Sequence, residues 1–97
     1  MRNIAIRDKL LVYALLKTTP VDKDEYTQRE IYGALAKQHV PFSLEEIEEV
    51  CDRLVLAAIF VRSGTKYQFA FPLFPRVLRA NHDLDHLISV AKKEIGL

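Results

Sequence analysis

Two six-residue stretches share one sequence pattern, and together they constrain the fold more than any other feature of the chain. They are YTQREI at residues 26–31 and FSLEEI at residues 42–47. In each, a hydroxyl residue, Thr27 or Ser43, is followed three positions later by a glutamate. This pair forms the capping box that begins a helix. The apolar residues that flank each box form a hydrophobic staple. The sequence therefore predicts two helices joined by a short turn, as in a helix-turn-helix.

The segments on either side of this pair complete an order of elements. A helix is predicted from about residue 3 to residue 18, because apolar residues recur there at helical spacing and Pro20 ends the pattern. Two β-prone runs, residues 59–62 and 67–71, flank a short polar turn and predict a β-hairpin. Three helices followed by a hairpin is the order of the winged helix. The predicted fold class is therefore α+β: a winged helix, made of a three-helix core and a hairpin wing, with a C-terminal helical extension.

The C-terminal part of the chain is predicted to be helical and to need a surface to pack on. We expect residues 1–80 to form the winged-helix domain and residues 81–97 to form a helix that packs on this core or on a partner. Residues 81–83 either kink this helix or restart it. Packing within the chain and packing against a second copy both remain open for its apolar stripe. The candidate self-association residues of this stripe are Leu84, Leu87, Ile88 and Ala91.

The third helix is acidic on the side that faces away from its apolar stripe. Residues 41–60 carry five acidic and one basic side chain, a net charge of −4, whereas the whole chain carries +1. A basic protein surface suits such a helix better than DNA, because DNA affinity comes largely from Lys and Arg contacts to phosphates. The predicted buried stripe is Leu44, Ile47, Val50, Cys51, Leu54 and Val55. The predicted interaction face is Glu45, Glu48, Glu49, Asp52 and Arg53.

Basic residues in and after the predicted wing suggest a different contact, one with a nucleic acid. They either hold phosphates of a nucleic acid or are ordinary surface charges. The third helix itself is expected to stay out of the major groove, where base reading relies mostly on Arg, Lys, Asn and Gln. The candidate nucleic-acid contacts are Arg62, Lys66, Arg76 and Arg79.

No arrangement of residues in the sequence supports catalysis. Cys51 lies on the apolar stripe and is predicted to be a small core residue. His82 and His86 are four positions apart, but two ligands do not define a zinc site. The spacing of a phosphate-binding loop does not occur. We therefore expect a protein that is not an enzyme and has no cofactor or metal.

The cellular setting is predicted from the cysteine count and the N-terminal segment. A single cysteine excludes an intrachain disulfide and favours a reducing, cytoplasmic setting. The first residues lack the apolar core and cleavage site of a signal peptide, and no stretch approaches a membrane span in length. We therefore expect no membrane partner.

The chain resembles winged-helix domains over about residues 8–80, including both capped helices and the hairpin. A narrower run, LVLAAIFVRSGTKYQFAFPLFPRVLRAN, is similar to the winged-helix segment that follows the nucleotide-binding domain in prokaryotic STAND and AAA-type ATPases. In that family a YxFxxPLF strand leads into a closing helix. The residues that carry the match here are Tyr67, Phe69, Pro72, Leu73 and Phe74. The resemblance implies a regulatory or interaction role, either as a domain of a longer protein or as a free-standing relative.

Two functional hypotheses follow from these patterns. The first is a non-catalytic regulatory or protein-interaction module, related to such an ATPase, that offers its acidic third helix to a basic partner or binds a second copy of itself. The alternative is a small dimeric DNA-binding transcriptional regulator that uses its wing and basic flanks. The alternative rests on analogy with other winged helices.

Overall fold

The structure is a computed structural model that describes residues 5–97. Within that range the chain forms five helices and three strands and has a Cα radius of gyration of 12.1 Å. The predicted start of the first helix, near residue 3, lies outside the described residues. In chain order the elements are α1 (Ile6–Thr18), β1 (Tyr26–Thr27), α2 (Gln28–Lys37), α3 (Leu44–Leu56), β2 (Phe60–Ser63), β3 (Lys66–Phe69), α4 (Leu73–Asn81) and α5 (Leu84–Glu94).

The three strands form one antiparallel sheet in the order β1-β3-β2. β2 and β3 are the predicted hairpin, with Phe60 opposite Phe69. Gly64 opens the turn between them with φ of 62°, a left-handed conformation that glycine adopts without strain. The sequence does not predict β1, which pairs Tyr26 with Tyr67 at the other edge of β3. This α+β order and pairing are compatible with a winged-helix shape.

α1 lies at the centre of the fold and packs against α2, α3 and α5. A helix that is apolar on most of its sides has to be surrounded by other elements. The buried apolar residues of α1 are Leu10, Leu11, Val12, Ala14, Leu15 and Leu16. Side chains of the other helices and of the sheet join them in one hydrophobic cluster, among them Ile31, Leu35, Ile47, Leu54, Phe60, Tyr67 and Ile88.

Both capping boxes form as predicted. The Oγ1 atom of Thr27 accepts a hydrogen bond from the backbone N–H of Glu30 at 3.1 Å, and the Glu30 carboxylate accepts one from the N–H of Thr27 at 3.0 Å. In the second box, the Oγ atom of Ser43 accepts a hydrogen bond from the N–H of Glu46 at 3.1 Å, and the Glu46 carboxylate accepts one from the N–H of Ser43 at 3.3 Å. α2 and α3 therefore begin where the sequence predicts. The staple residues are also buried: Tyr26, Ile31, Phe42 and Ile47.

Two apolar residues of the predicted helices and strands are exposed. Leu44 is 51% exposed because it is the first residue of α3, and a helical side chain points back toward the N-terminus, here beyond the edge of the core. Phe71 is 65% exposed and lies beyond the end of β3, so the second strand is shorter than the predicted run of residues 67–71. The N–H of Ala70 still donates to the carbonyl of Ile59 at 2.9 Å, and the chain then turns at Pro72, the N-cap of α4.

The C-terminal extension consists of two helices, α4 and α5. The sequence leaves open whether residues 81–83 kink one helix or begin another, and the structure shows a new start. Asp83 is the N-cap of α5, and its carboxylate accepts a hydrogen bond from the backbone N–H of His86 at 3.3 Å. α5 then packs along α1, where Ile88 and Ala91 enter the same hydrophobic core as the rest of the chain.

Candidate interaction surface

Four carboxylates on the outer side of α3 are exposed to solvent. They are the acidic face: Glu45, Glu48, Glu49 and Asp52. Within residues 5–97, none of the four forms an ion pair or a side-chain hydrogen bond. Like charges four positions apart on a helix repel each other, and this face contains two such pairs. A cation brought to this face would therefore relieve repulsion that the fold itself leaves in place.

Arg53, the fifth residue of the predicted interaction face, is paired with a residue of α1. Its Nε and Nη2 atoms donate to both carboxylate oxygens of Asp8 at 2.8–3.1 Å. Asp8 is only 2% exposed, so the pair neutralises a buried charge between α1 and α3. The sequence holds a signal for this pair that the prediction missed. Asp8 precedes Leu11 and Leu15 by three and seven positions, which places a carboxylate on the apolar side of α1.

The remaining carboxylate of α3, Glu46, is also paired toward α1. Its Oε2 atom accepts from Nη1 of Arg7 at 2.8 Å, while Oε1 completes the capping box. The Arg7 guanidinium carbon also lies 5.3 Å from the centroid of the Phe42 ring. The charged residues of α3 thus divide into two groups. Those that face α1 are paired, and those of the acidic face are not paired within the described range.

An exposed leucine lies on the same side of α3 as the acidic face. Leu56, the last residue of the helix, is 88% exposed. It follows Asp52, Glu49 and Glu45 by four, seven and eleven positions, which places all four residues along one side of the helix. A surface of this kind matches a partner that presents basic and apolar side chains together.

Arg62 and Lys66 lie on the hairpin, as predicted. Nε of Arg62 donates to the carbonyl of Gly64 at 3.2 Å, and the Arg62 guanidinium carbon lies 5.6 Å from the centroid of the Tyr67 ring. Nζ of Lys66 lies 3.6 Å from a carboxylate oxygen of Glu25. Arg62 also lines a cleft with Thr27, Gln28, Arg29 and Thr65, at the start of α2.

Arg76 and Arg79 lie on α4 and have different surroundings. Arg79 is half-buried, and its guanidinium donates to the backbone carbonyls of Leu16 and Thr19 at 3.2–3.3 Å. These bonds occupy Arg79 at the C-terminal end of α1, where a cation is also favoured by the helix dipole. Arg76 is exposed. Of the four candidate contacts for nucleic acid, Arg79 therefore has a structural role.

The candidate self-association stripe lies on the side of α5 that packs within the chain. Ile88 and Ala91 are buried there, and Leu84 and Leu87 are half-buried. Two polar bonds also fix α5: Lys17 pairs with Asp85 at 3.0 Å, and Nζ of Lys92 donates to the carbonyl of Gln38 at 3.0 Å. Exposed apolar residues of the C-terminal half also occur on or just before α4: Phe71, Leu73 and Val77.

Cys51, His82 and His86, the residues considered for catalysis or metal binding, have different surroundings. Cys51 is fully buried in the core, as predicted, and burial raises the pKa of its thiol to about 12. The thiol therefore stays protonated at neutral pH and is a poor nucleophile. Among residues 5–97, no group of three or more His, Cys, Asp and Glu side chains could hold a metal ion. His82 and His86 are exposed.

An open groove lies beside the turn between α2 and α3, and the sequence does not predict it. Its volume is about 480 Å³. We call it the turn groove, and its lining residues are Tyr32, Ala36, His39, Val40, Pro41, Phe42 and Ser43. The sequence signal for it is weak: Tyr32 and Ala36 are four positions apart on the side of α2 that the core does not use, and His39 follows the helix.

Two further findings concern the chain as a whole. In the part that the structure describes, no helix has both the length and the apolar run needed to cross a bilayer. Comparison with protein-family models, with curated proteins and with solved structures finds no match to this chain.

Proposed function

We propose that this chain is a winged-helix module that performs no catalysis and acts by binding a protein partner through the acidic face. α2 and α3 form the helix-turn-helix of the proposed module, and β2 and β3 form its wing. The order of elements supports this, as does the position of β1 at the free edge of β3. The resemblance of the β3–α4 segment to winged helices of ATPases supports a regulatory role.

The observation that carries the proposal is the unpaired acidic face. In a DNA-binding winged helix, α3 is the helix that enters the major groove. Here Glu45, Glu48, Glu49 and Asp52 would approach the phosphates, and the fold already holds Arg53 against Asp8. No basic side chain of α3 is left to offset that repulsion. A partner with clustered Lys or Arg side chains would instead be attracted and correctly oriented.

The alternative, a DNA-binding regulator, is favoured by one observation. Arg29 and Arg62 line the same cleft, and Arg62 is held in place by Gly64 and the Tyr67 ring. A fixed guanidinium suits a phosphate contact that does not depend on base sequence. In this alternative the wing and the start of α2 contact DNA, and the acidic face points away from it.

One binding assay with two fluorescent probes, polylysine and a mixed-sequence DNA duplex, tests the proposal. We expect the protein to bind polylysine and not DNA at about 50 and about 150 mM salt. The variant E45Q/E49Q/D52N should lose about tenfold in affinity for polylysine, since three exposed charge contacts are removed. The matched control D22N/D24N/E94Q changes the net charge equally at other exposed carboxylates and should bind like the wild type.

Two outcomes would overturn the proposal. One is an equal loss of polylysine affinity in both triple variants, which would mean that only net charge matters. The other is a DNA affinity that falls steeply with salt and is lost in R62A/K66A, which would favour the alternative.

A further inference from the structure

The turn groove has an apolar floor and is held open by the helix ends that border it. Val40 and Phe42 are buried beneath it, while Tyr32 remains 48% exposed at its wall. Ala36, in the last turn of α2, contributes only a methyl group, which leaves space above it. A volume of about 480 Å³ is within the range of small-molecule sites and accommodates a large apolar side chain with its neighbouring backbone.

The backbone around the groove is fixed on both sides. α2 ends with His39 at φ of 58°, where the N–H groups of His39 and Val40 donate to the carbonyls of Ala36 and Leu35 at 3.0 and 2.9 Å. α3 begins four residues after His39 at the Ser43 capping box. A groove between two capped helix ends does not need to be ordered when a ligand binds, which favours affinity.

The charges near the groove decide which ligand fits it. Ser43 lines the groove and is the N-cap of α3, so the acidic face begins in the first turn beyond it. α2 contributes two exposed cations, Arg29 near its start and Lys37 at its end. Glu46 and Arg53 are already paired with α1. The four carboxylates of the acidic face therefore outnumber these two cations, and a basic ligand is favoured.

We infer that the turn groove receives one large apolar side chain from a segment of the partner protein whose adjacent Lys or Arg residues contact the acidic face. This inference rests on the proposed function and names the chemistry of the partner: an apolar anchor flanked by basic residues. The anchor provides burial, and the basic residues select the orientation of the segment on α3.

A selection of binders from a displayed library of random peptides tests the inference, with the full chain as the target. The wild type should enrich peptides that combine Lys and Arg with an aromatic residue or a leucine. A36F fills the groove from an exposed position, so the fold should tolerate it, and the anchor should disappear from its enriched peptides. A80F makes the same change at an exposed alanine of α4 and should enrich the wild-type motif.

The affinities of the enriched peptides separate failure of the inference from failure of the proposed function. We expect an anchored basic peptide to bind A36F about tenfold more weakly than it binds A80F. Equal binding of basic peptides to both variants, with no anchor enriched, would overturn the groove inference and leave the acidic face as the binding surface. Enrichment of no basic peptide by the wild type would overturn both.

Discussion

The pair of Asp8 and Arg53 shows how one buried charge fixes a residue next to the proposed binding surface. Three hydrogen bonds between the guanidinium and the carboxylate hold Arg53 toward α1, and Asp8 is almost fully enclosed. The hydrogen bond from Arg53 to Asp8 also raises the pKa of Arg53. A buried carboxylate without its partner destabilises a fold strongly.

R53A should therefore lower the free energy of unfolding by about 3 kcal/mol, the lower end of the range for a broken buried pair, because the arginine itself is half exposed. R7A is the matched control, since it removes the exposed pair with Glu46 and should cost less than about 1 kcal/mol. Urea unfolding of both variants measures the difference. Equal losses in the two variants would mean that the burial of Asp8 does not matter for stability.

Tyr67 and Tyr26 make a second residue-scale comparison. Both side chains are buried, but the Tyr26 hydroxyl donates to the carbonyl of Lys23 at 3.0 Å, whereas the Tyr67 hydroxyl has no partner within residues 5–97. A buried hydroxyl without a hydrogen bond is unfavourable. We expect Y67F to raise the free energy of unfolding by about 1 kcal/mol and Y26F to lower it by a similar amount. Thermal unfolding in parallel measures both changes, and a loss in Y67F as large as in Y26F would contradict the expectation.

At the scale of elements, three helices end with the same pair of backbone hydrogen bonds. Two positions after each of α2, α3 and α5 comes a residue in the left-handed conformation: His39, Ala58 and Gly96, respectively. At α3, the N–H groups of Ala58 and Ile59 donate to the carbonyls of Val55 and Leu54 at 3.0 and 2.9 Å. The left-handed position favours glycine, and of these three helices only α5 is followed by a glycine there.

A58G should therefore stabilise the protein by about 0.5–1 kcal/mol, because φ of 59° is strained for alanine and not for glycine. A57G makes the same change one residue earlier, where φ is −82°, and should destabilise by a similar amount. Both alanines are exposed, so neither change creates a cavity. Urea unfolding that ranks A57G as the more stable variant would exclude this explanation.

The ends of elements also show what could be predicted from the sequence. α2 and α3 begin where predicted because a capping box and its staple are encoded within six residues. The end of α3 is not marked in the sequence, because the left-handed position after it holds Ala58 and not glycine. β1 has only two residues, and its pairing depends on β3, which lies far along the chain. The acidic face follows from helical spacing, whereas the loss of Arg53 from it and the turn groove both depend on how separate helices pack.

At the scale of the whole molecule, the ion pairs that stabilise the fold are separate from the proposed binding surface. α1 is enclosed by α2, α3 and α5, and the ion pairs with Asp8 and Arg7 use the charges of α3 that face it. The acidic face and the turn groove lie outside this enclosure. Substitutions on that surface should therefore change binding without unfolding the protein, which is what makes the binding assays informative.

The enclosure of α1 by α5 is itself testable. Ile88 is buried against the core, so I88A should lower the free energy of unfolding by about 2–4 kcal/mol. V90A shortens a side chain that is 40% exposed on the same helix and should cost less than about 1 kcal/mol. If α5 packs within its own chain, neither variant changes the sedimentation coefficient of the folded protein, and the urea midpoint of the wild type does not depend on protein concentration. A midpoint that rises with concentration and a dimer that I88A dissociates would instead show that α5 joins two copies.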